Sequence, residues 1–428
     1  MEFTCKSNEF KEMIQIVEKA VSQKSSVAVL ENIYLELTEQ KLIFRGNNLE
    51  MGIENILPID NVVSSGNILV KAKTLSSIVS KIDNEHIHIR VDENNKFFIK
   101  SGAIDMEINS CSVEDYPVFP TVDAGVKFSI KSNDLIDLIK YTIISVSYDA
   151  TKQFLNGILI KSEGDQLYFV ATDGYRLALK KQTILPLEQS VNSIIPYKSL
   201  LELLKIFQGL SEECSVDVII SDGQVSFKIN DFILISRLIQ GQFPDFNQVI
   251  PQNSSHIYKI KKDDLLAATE RASIIASASN NVLRLLFDET QLSKHANAKG
   301  LGEFKEDVVI ERLKGDSQIK IAFNVRLVLD VLKVVSTDYI TVHLNNELSP
   351  CRIMEDNALK DNDSLTRKIM KLMKSRLVLL TIWDDELYRQ PLYRQPPSLA
   401  LHRLKAMINE RIGQSAEFFS HGASLLKH

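Results

Sequence analysis

Phe3-Thr-Cys-Lys-Ser-Asn-Glu-Phe10, close to the start of the chain, returns as Phe128-Ser-Ile-Lys-Ser-Asn-Asp-Leu135 and again, more loosely, as Tyr258-Lys-Ile-Lys-Lys-Asp-Asp-Leu265. The offsets are 125 and then 130 residues. Solenoid repeats run roughly 20–50 residues, so a period of this length is that of a whole domain. The chain carries one domain three times.

The second half of each copy also recurs. Val70-Lys-Ala-Lys-Thr-Leu-Ser-Ser-Ile-Val-Ser-Lys-Ile82 matches Ile195-Pro-Tyr-Lys-Ser-Leu-Leu-Glu-Leu-Leu-Lys-Ile-Phe207, and the third version is Ile321-Ala-Phe-Asn-Val-Arg-Leu-Val-Leu-Asp-Val-Leu-Lys333. The first two copies close alike, on Asp115-Tyr-Pro-Val-Phe-Pro120 and on Gln242-Phe-Pro-Asp-Phe-Asn-Gln-Val-Ile-Pro251. Two prolines in each disfavour both helix and central strand, so these stretches read as extended linkers. The expected domains are 1–121, 126–251 and 256–372, followed by an atypical tail, 373–428, read as disordered or non-native.

Within each copy a strand leads into a helix. Phe10, Met13, Ile14, Val17, Ala20 and Val21 make an apolar stripe at helical spacing in the first copy. Leu135, Leu138, Ile139, Thr142, Ile143 and Val146 repeat it, as do Leu265, Leu266, Thr269, Ala272, Ile275 and Ala276. Asn8, Asn133 and Asp263 stand where helix N-caps are expected. Hairpin-linked strands follow, then a second short helix at 73–82, 198–207 and 324–334, then further alternating strands. The expected fold class is α+β: three tandem copies of a domain with two helices packed on a mostly antiparallel sheet. In the third copy, Gln291–Glu311 lacks the clean alternation of the other two.

With 428 residues, each of three domains can bury a core of its own. Hydrophobic content of 44% and charged content of 25% are ordinary for a globular protein. Cys5, Cys111, Cys214 and Cys351 are far apart and read as reduced thiols of a cytoplasmic protein. The first residues show no signal-peptide pattern, and no apolar run reaches the roughly 20 residues of a membrane span. A net charge of −5 argues against a chain that coats nucleic acid with its whole surface.

Charge placement says more than the sum. Lys19, Lys24, Lys140, Lys152, Lys261, Lys262 and Arg271 lie on or beside the first helices. Lys71, Lys73, Lys81, Lys198, Lys205, Arg326 and Lys333 lie on or beside the second. A solvated helix face explains any one of these lysines. As a set, three copies with helices facing one way form a basic surface on an acidic body, suited to a phosphate backbone read without regard to base. Acids such as Glu12, Glu18 and Glu202 are mixed in, so such contact is expected to be loose and salt-sensitive.

Chemistry-bearing motifs are lacking. Lys299-Gly-Leu-Gly-Glu is too short for a nucleotide fingerprint. His86 and His88 share one face of a strand and read as an edge-strand pair rather than a metal site. Asp173, in Ala171-Thr-Asp-Gly-Tyr-Arg-Leu-Ala178, reads as a turn residue. No nucleophile–base pair or paired carboxylates stand out, so the chain is expected to be a binding protein without catalytic residues, metal or cofactor. The rival enzyme reading would place a site at the Thr172–Arg176 turn and needs a second titratable group that the pattern does not supply.

Ala171–Ala178, with Phe154-Leu-Asn-Gly157 before it and Gly241-Gln-Phe-Pro-Asp245 after it, is similar to the bacterial sliding clamps, the beta subunits of DNA polymerase III. Phe323-Asn-Val-Arg-Leu-Val-Leu-Asp-Val-Leu332 and Ser349-Pro-Cys-Arg-Ile353 resemble later segments of that family, so the resemblance covers about residues 1–365. It implies a head-to-tail homodimer, six domains closing a ring around duplex DNA, which tethers the replicative polymerase for processive synthesis. A heterologous contact whose rotation closes gives such a ring. It also implies a pocket between the second and third domains for linear motifs of the polymerase III alpha subunit, other polymerases, the clamp loader and repair proteins.

Carried over by position, that pocket comprises Leu155, Thr172, Gly174, Tyr175, Arg176, Leu177, Pro244, Val249, Asn324, Leu327 and Met370. Apolar walls with a few polar groups suit an extended peptide. The DNA-facing candidates are Lys24, Lys73, Tyr148, Lys152, Phe154, Lys198 and Arg271. Ile274 and Ile275 are expected to meet Met106 and Ile108 of a second copy, since adjacent isoleucines late in an amphipathic helix cannot both face the core.

The resemblance stops at the end. Where the family finishes on a Met-Pro-x-Arg-like run, this chain reads Leu365-Thr-Arg-Lys-Ile-Met-Lys-Leu-Met-Lys374 and continues to His428. From Leu365 onward there are eleven Lys/Arg against five Asp/Glu, with Trp383 and a duplicated Leu-Tyr-Arg-Gln-Pro at 387–391 and 392–396. Three readings stay open: a shifted or fused reading frame, an appendage that binds DNA or a partner, and a segment folded over the pocket. The alternative function is a clamp homologue impaired by this tail in ring closure or partner binding.

Overall fold

The computed structural model describes residues 1–22, 24–208 and 212–356. The tail, the Leu365–Lys374 run and Met370 lie outside the described residues.

The first repeat runs β1 (Glu2–Lys6), α1 (Ser7–Val17), β2 (Asn32–Leu37), β3 (Lys41–Asn47), β4 (Met51–Pro58), β5 (Asn61–Ser64), β6 (Gly66–Lys71), α2 (Ala72–Val79), β7 (His86–Val91), β8 (Lys96–Ser101) and β9 (Ile104–Cys111). The second runs β10 (Val126–Lys131), α3 (Ser132–Ile143), β11 (Gly157–Glu163), β12 (Gln166–Thr172), β13 (Leu177–Thr183), β14 (Asn192–Pro196), α4 (Tyr197–Phe207), β15 (Ser215–Ile220), β16 (Gln224–Ile229) and β17 (Phe232–Arg237). The third runs β18 (His256–Lys261), α5 (Lys262–Ala276), β19 (Val282–Phe287), β20 (Gln291–Ala298), β21 (Gly302–Lys314), β22 (Ile319–Asn324), α6 (Val325–Val334), β23 (Tyr339–Leu344) and β24 (Arg352–Glu355). The expected order of elements therefore holds in all three copies.

Each repeated helix starts directly from its strand, and here the structure corrects the capping expectation. Asn8, Asn133 and Asp263 lie inside α1, α3 and α5, one residue past the start, and none is an N-cap. A helix start leaves its first amides without intrahelical partners. In these helices a backbone carbonyl from far along the chain accepts the first one. Ser7 N–H bonds Glu85 O (2.9 Å), Ser132 N–H bonds Cys214 O (2.8 Å) and Lys262 N–H bonds Asp338 O (2.9 Å). A side-chain cap occurs at α6, where the Asn324 amide oxygen accepts from Arg326 N.

The described residues fall into two compact units, and the division cuts through the second repeat. The first unit holds Met1–Leu135, Leu187–Val191 and Lys198–Leu238. Its thirteen described strands form one sheet in the order β10-β15-β16-β17-β4-β3-β2-β6-β9-β8-β7-β1-β5. The join between repeats is a backbone ladder: β17 runs antiparallel to β4, with Ile233 opposite Glu54 and Ser236 opposite Met51. The last strand of the second repeat thus extends the sheet of the first. Phe3, Phe10, Ile14, Phe44 and Phe97 fill the core under α1. Strand β7 lies between β1 and β8, so His86 and His88 sit on an interior strand and not at an edge. His88 is engaged there by Thr4 (3.0 Å) and Glu2 (3.3 Å).

The second unit holds the remaining described residues, in a four-stranded sheet, β13-β12-β11-β14, and a seven-stranded sheet, β22-β19-β20-β21-β18-β23-β24. Leu155, Leu159, Val170, Leu177, Leu179, Ile194, Phe246 and Val249 form one core. Within the linker expected to be extended, Phe246–Gln248 makes a turn of 3₁₀ helix, started by Asp245, whose carboxylate accepts from Asn247 N–H. The larger core of the third repeat gathers Tyr258, Leu283, Phe287, Val325, Val331 and Leu332 with their neighbours.

Gln291–Glu311 proves to be a regular hairpin, β20 against β21 in unbroken register from Gln291 opposite Val309 to Ala298 opposite Gly302. The inward positions of β20 are Leu292, Lys294, Ala296 and Ala298. Small residues and one buried lysine occupy that face, so a hydrophobic pattern does not reveal it. Lys299-Gly-Leu301 is the turn of this hairpin, with Gly300 at φ +85°.

Candidate functional site

The turn between β12 and β13, with the strand residues that flank it, carries five of the eleven expected pocket residues, Thr172, Gly174, Tyr175, Arg176 and Leu177. Gly174 holds φ +90°, a left-handed conformation that glycine adopts without strain. Thr172 Oγ1 donates to Arg176 O (2.7 Å) and accepts from Gly174 N (3.1 Å). One Asp173 carboxylate oxygen accepts from the amides of Tyr175 and Arg176, both at 2.9 Å. The other faces Arg176 Nε at 3.1 Å. Asp173 is thus the turn residue its sequence context implies. Burial pushes its carboxyl above the ordinary value, opposed by Arg176 and the two amides.

Arg176 connects this turn to the third repeat. Its side chain is buried, and Nη1 lies 2.7 Å from the Asp330 carboxylate on α6. Asp330 stands three residues after Leu327, hence on the same helix face. The turn and α6 are joined by this ion pair, and Asn324 caps the start of the same helix. The apolar candidates divide between two cores. Leu155, Leu177 and Val249 are buried in the core of the second repeat, with Pro244 buried nearby in sequence, whereas Leu327 packs on the core of the third. Tyr175 is exposed. Met370 cannot be placed with them, being outside the described residues.

A buried charge cluster joins β13 to β24, with groups from α3 and from the residue after α6. Lys180, on β13, points its ammonium at Glu355 of β24 (3.2 Å), and the two side chains are 3% and 0% exposed. The Tyr141 hydroxyl, from α3, donates to Glu355, and Lys180 Nζ sits 3.4 Å from the Tyr141 ring centroid. Ser336, just past α6, donates to Glu355 through N–H (3.2 Å) and Oγ (3.1 Å). Burial alone would raise the Glu355 carboxyl. Lys180, Tyr141 and Ser336 outweigh it and hold the group below its ordinary value. The sequence reading missed Asp330 and this cluster. Its available signal was a lysine ending the mostly apolar run Leu177–Lys180 and a glutamate at an inward position of the alternating strand β24.

The DNA-facing candidates differ by repeat. Lys24, Lys73 and Lys198 are exposed and Lys152 half-buried, and none of the four forms an ion pair with a described residue. Tyr148 is 69% exposed and makes an edge-on contact with Tyr197, ring centroids 5.1 Å apart. Phe154 is half-buried against the second repeat's core. In the third repeat four of the cations on or beside the helices are paired. Lys261 pairs with Asp264, Lys262 with Asp263, Lys333 with Glu270, and Arg271 with Glu306 through two bonds.

Of the interface candidates, Ile274 on α5 is 68% exposed, while Ile275 packs partly against the core. The two isoleucines therefore divide between solvent and core. On β9, Met106 is exposed and Ile108 half-buried. A groove of about 810 Å³ in the first unit, under the linker residues Val118–Asp123, contains none of the candidate residues. Among the described residues no group of three or more His, Cys, Asp or Glu could hold a metal, and no helix is long and apolar enough to cross a membrane.

Three consecutive family models match the chain. They are the DNA polymerase III beta subunit N-terminal domain over residues 1–120, its central domain over 129–245 and its C-terminal domain over 247–372. The beta sliding clamp of Bacillus subtilis (strain 168) is 30% identical over 367 residues, covering 83% of this chain and 96% of that protein. The beta sliding clamp of Staphylococcus aureus (strain N315) is 28% identical over 382 residues, covering 87% and 99%. Among solved structures, the DNA polymerase sliding clamp from Bacillus subtilis superposes with a TM-score of 0.81 at 28% identity, covering 89% of this chain and 98% of that one. The DNA polymerase III subunit beta from Pseudomonas aeruginosa gives 0.77 at 27%, covering 83% and 96%.

Proposed function

The chain belongs to the DNA polymerase III beta subunit family, and on that premise we propose that two copies close head to tail into a six-domain ring around duplex DNA. Its function is that of a sliding clamp, a processivity factor with no catalytic activity of its own. In this reading the three domains are 1–121, 126–251 and 256–372, and the ring works in the cytoplasm.

Support for closure comes from the join within the chain. There the last strand of one repeat, β17, pairs with the third strand after the first helix of the preceding repeat, β4. Continued across a dimer, the same rule pairs β9 of one copy with β21 of the other. Both have an edge to offer. Strand β9 pairs with β8 along Ile104–Asn109 and meets β6 only at Ser110 and Cys111. Strand β21 pairs with β20 along Gly302–Val309 and meets β18 only from Ile310 onward. Such open edges are templates for pairing with another chain. Met106 and Ile108 lie on the first edge strand, and Ile274 and Ile275 lie on the helix over the second hairpin, so the expected contact stands as part of this proposal.

DNA is held by enclosure, with Lys24, Lys73, Tyr148, Lys152, Phe154, Lys198 and Arg271 facing it. Contacts to phosphate without base reading permit movement along the duplex. The β12–β13 turn and α6, joined by Arg176 and Asp330, receive the linear motifs of the polymerase III alpha subunit, other polymerases and the clamp loader.

The single observation carrying the ring is the β17–β4 ladder together with the partly open edges of its two counterparts, β9 and β21. Sizing in solution together with retention on DNA tests it. The dimer should stay on circular DNA as salt rises and run off linear DNA. Equal loss from both forms would sink the proposal. Sizing the full chain beside a version ending near Leu372 separates it from the tail-impaired alternative, in which only the shorter form dimerises.

A further inference from the structure

Beneath α5, β20 and β21 hold two cations around one carboxylate. Lys294 lies on the inward face of β20, 1% exposed, and its Nζ has no hydrogen-bond partner among the described residues. Directly opposite on β21 stands Glu306. Side chains so paired across antiparallel strands are within reach of each other, with Cβ atoms about 4.5–5.5 Å apart. Yet Glu306 is bonded elsewhere: its two oxygens accept from Arg271 Nε (2.9 Å) and Nη2 (2.5 Å). Arg271 comes from α5 and is half exposed. Burial pushes the Lys294 ammonium down to about 8, Glu306 opposing and Arg271 adding to the effect.

A buried ammonium without a partner is costly, and an apolar side chain would fill the same space without that penalty. The arrangement makes sense when Arg271 has a second place to go. Withdrawing Arg271 from Glu306 would normally strand a partly buried carboxylate, the expensive outcome of breaking an ion pair. Here a second cation waits on the neighbouring strand. We propose that Glu306 is a two-position carboxylate, bonded to Arg271 in the free protein and handed to Lys294 when Arg271 turns outward to a phosphate oxygen of the nucleic-acid backbone. Lys294 is then a positioning residue that lowers the cost of each engagement of Arg271. It rests on the reading that Arg271 faces DNA. Exchange of one cation between an internal and an external anion also keeps the grip weak, as movement along the backbone requires.

The test measures binding of the full-length protein to a short linear duplex by fluorescence anisotropy over a series of salt concentrations. Arg271→Gln should weaken binding and reduce the slope of log affinity against log salt by about 0.9, the value for one lost phosphate contact. Lys294→Met, close in volume and apolar, should fold at least as well and weaken binding on the order of threefold or more while leaving that slope's ionic contact available only at higher cost. Glu306→Gln should strengthen binding, since Arg271 is then free. In the Glu306→Gln background, Lys294→Met should have no further effect. Thermal melting of each variant confirms that the fold is intact, and the Glu306→Gln measurement keeps Lys294 in place. No change with Lys294→Met beside a clear loss with Arg271→Gln, or additive effects in the double variant, would overturn the handover. No change with Arg271→Gln would instead overturn the placement of Arg271 on the DNA face.

Discussion

Lys180 and Glu355, 175 residues apart in sequence, form an ion pair of 3.2 Å from which water is excluded, one residue belonging to the second repeat and the other to the third. The Tyr141 ring lies against the ammonium, and the Tyr141 hydroxyl and Ser336 complete the shell of the carboxylate. Every polar atom of Glu355 is thus satisfied, the condition under which a buried pair is tolerated.

Removing one partner should therefore be costly and removing both much less so. Lys180→Met leaves a buried carboxylate unpaired and is expected to cost about 3–5 kcal/mol. Lys180→Met combined with Glu355→Gln should recover a large part of that loss. Denaturant unfolding of the second unit's transition measures it. Equal destabilisation by the single and double variants would contradict the pairing argument.

Arg176 and Asp330 should act as one unit in motif binding. Arg176→Ala and Asp330→Ala each release the β12–β13 turn from α6 and should weaken a bound motif peptide on the order of tenfold. The double variant should bind no more weakly than either single one. Anisotropy with a labelled peptide decides this, and unchanged affinity in both single variants would remove the turn from the binding site.

Ile274, exposed on α5, is expected to carry a large share of the dimer contact. Ile274→Asp places a charge where the proposed contact excludes water and should weaken association by at least ~30-fold, the effect of a contact worth about 2 kcal/mol. Analytical ultracentrifugation across a dilution series reads the shift to monomer. A variant that remains dimeric at the lowest concentrations would exclude Ile274 from the interface.

Acid should loosen the third repeat through His343. Its Nδ1 faces Arg352 Nη2 (3.1 Å) and its Nε2 faces Thr341 Oγ1 (3.0 Å), so the neutral ring accepts from Arg352 and donates to Thr341. Burial, helped by the Arg352 charge, lowers this histidine from 6.5 to about 4. A group with a depressed folded pKa takes up its proton more readily in the unfolded chain, so stability falls as pH drops from 6.5 towards 4. His343→Gln should flatten the dependence of melting temperature on pH across that window. A slope identical to that of the unaltered protein would assign the acid sensitivity elsewhere.

Much of the architecture was readable from local pattern. The threefold return of Phe3–Phe10 located the domains' first strands and helices, because strand alternation and helical stripes are properties of neighbouring residues. The same logic failed at Gln291–Glu311, where Ala296, Ala298 and Lys294 occupy inward positions that a hydrophobic pattern does not mark. It also misplaced three helix caps. Asn8, Asn133 and Asp263 have suitable side chains, but Glu85, Cys214 and Asp338 supply carbonyls to the first amides of those helices from 76 to 82 residues away. The β12–β13 turn was legible through Thr172–Leu177, while its tie to Asp330 was not.

The sequence by itself determined that this chain is a thrice-repeated α+β protein, since repetition and the periodicity of apolar residues need no knowledge of which surfaces meet, and its motifs around Ala171–Ala178 carried the resemblance to the clamp family. Only the tertiary structure decided which charges meet across the repeats: Arg176 with Asp330, Lys180 with Glu355, and Arg271 with a glutamate that already stands opposite a buried lysine. Such pairs join residues remote in sequence, and their energies depend on burial and distance, which a linear pattern of residue types does not contain.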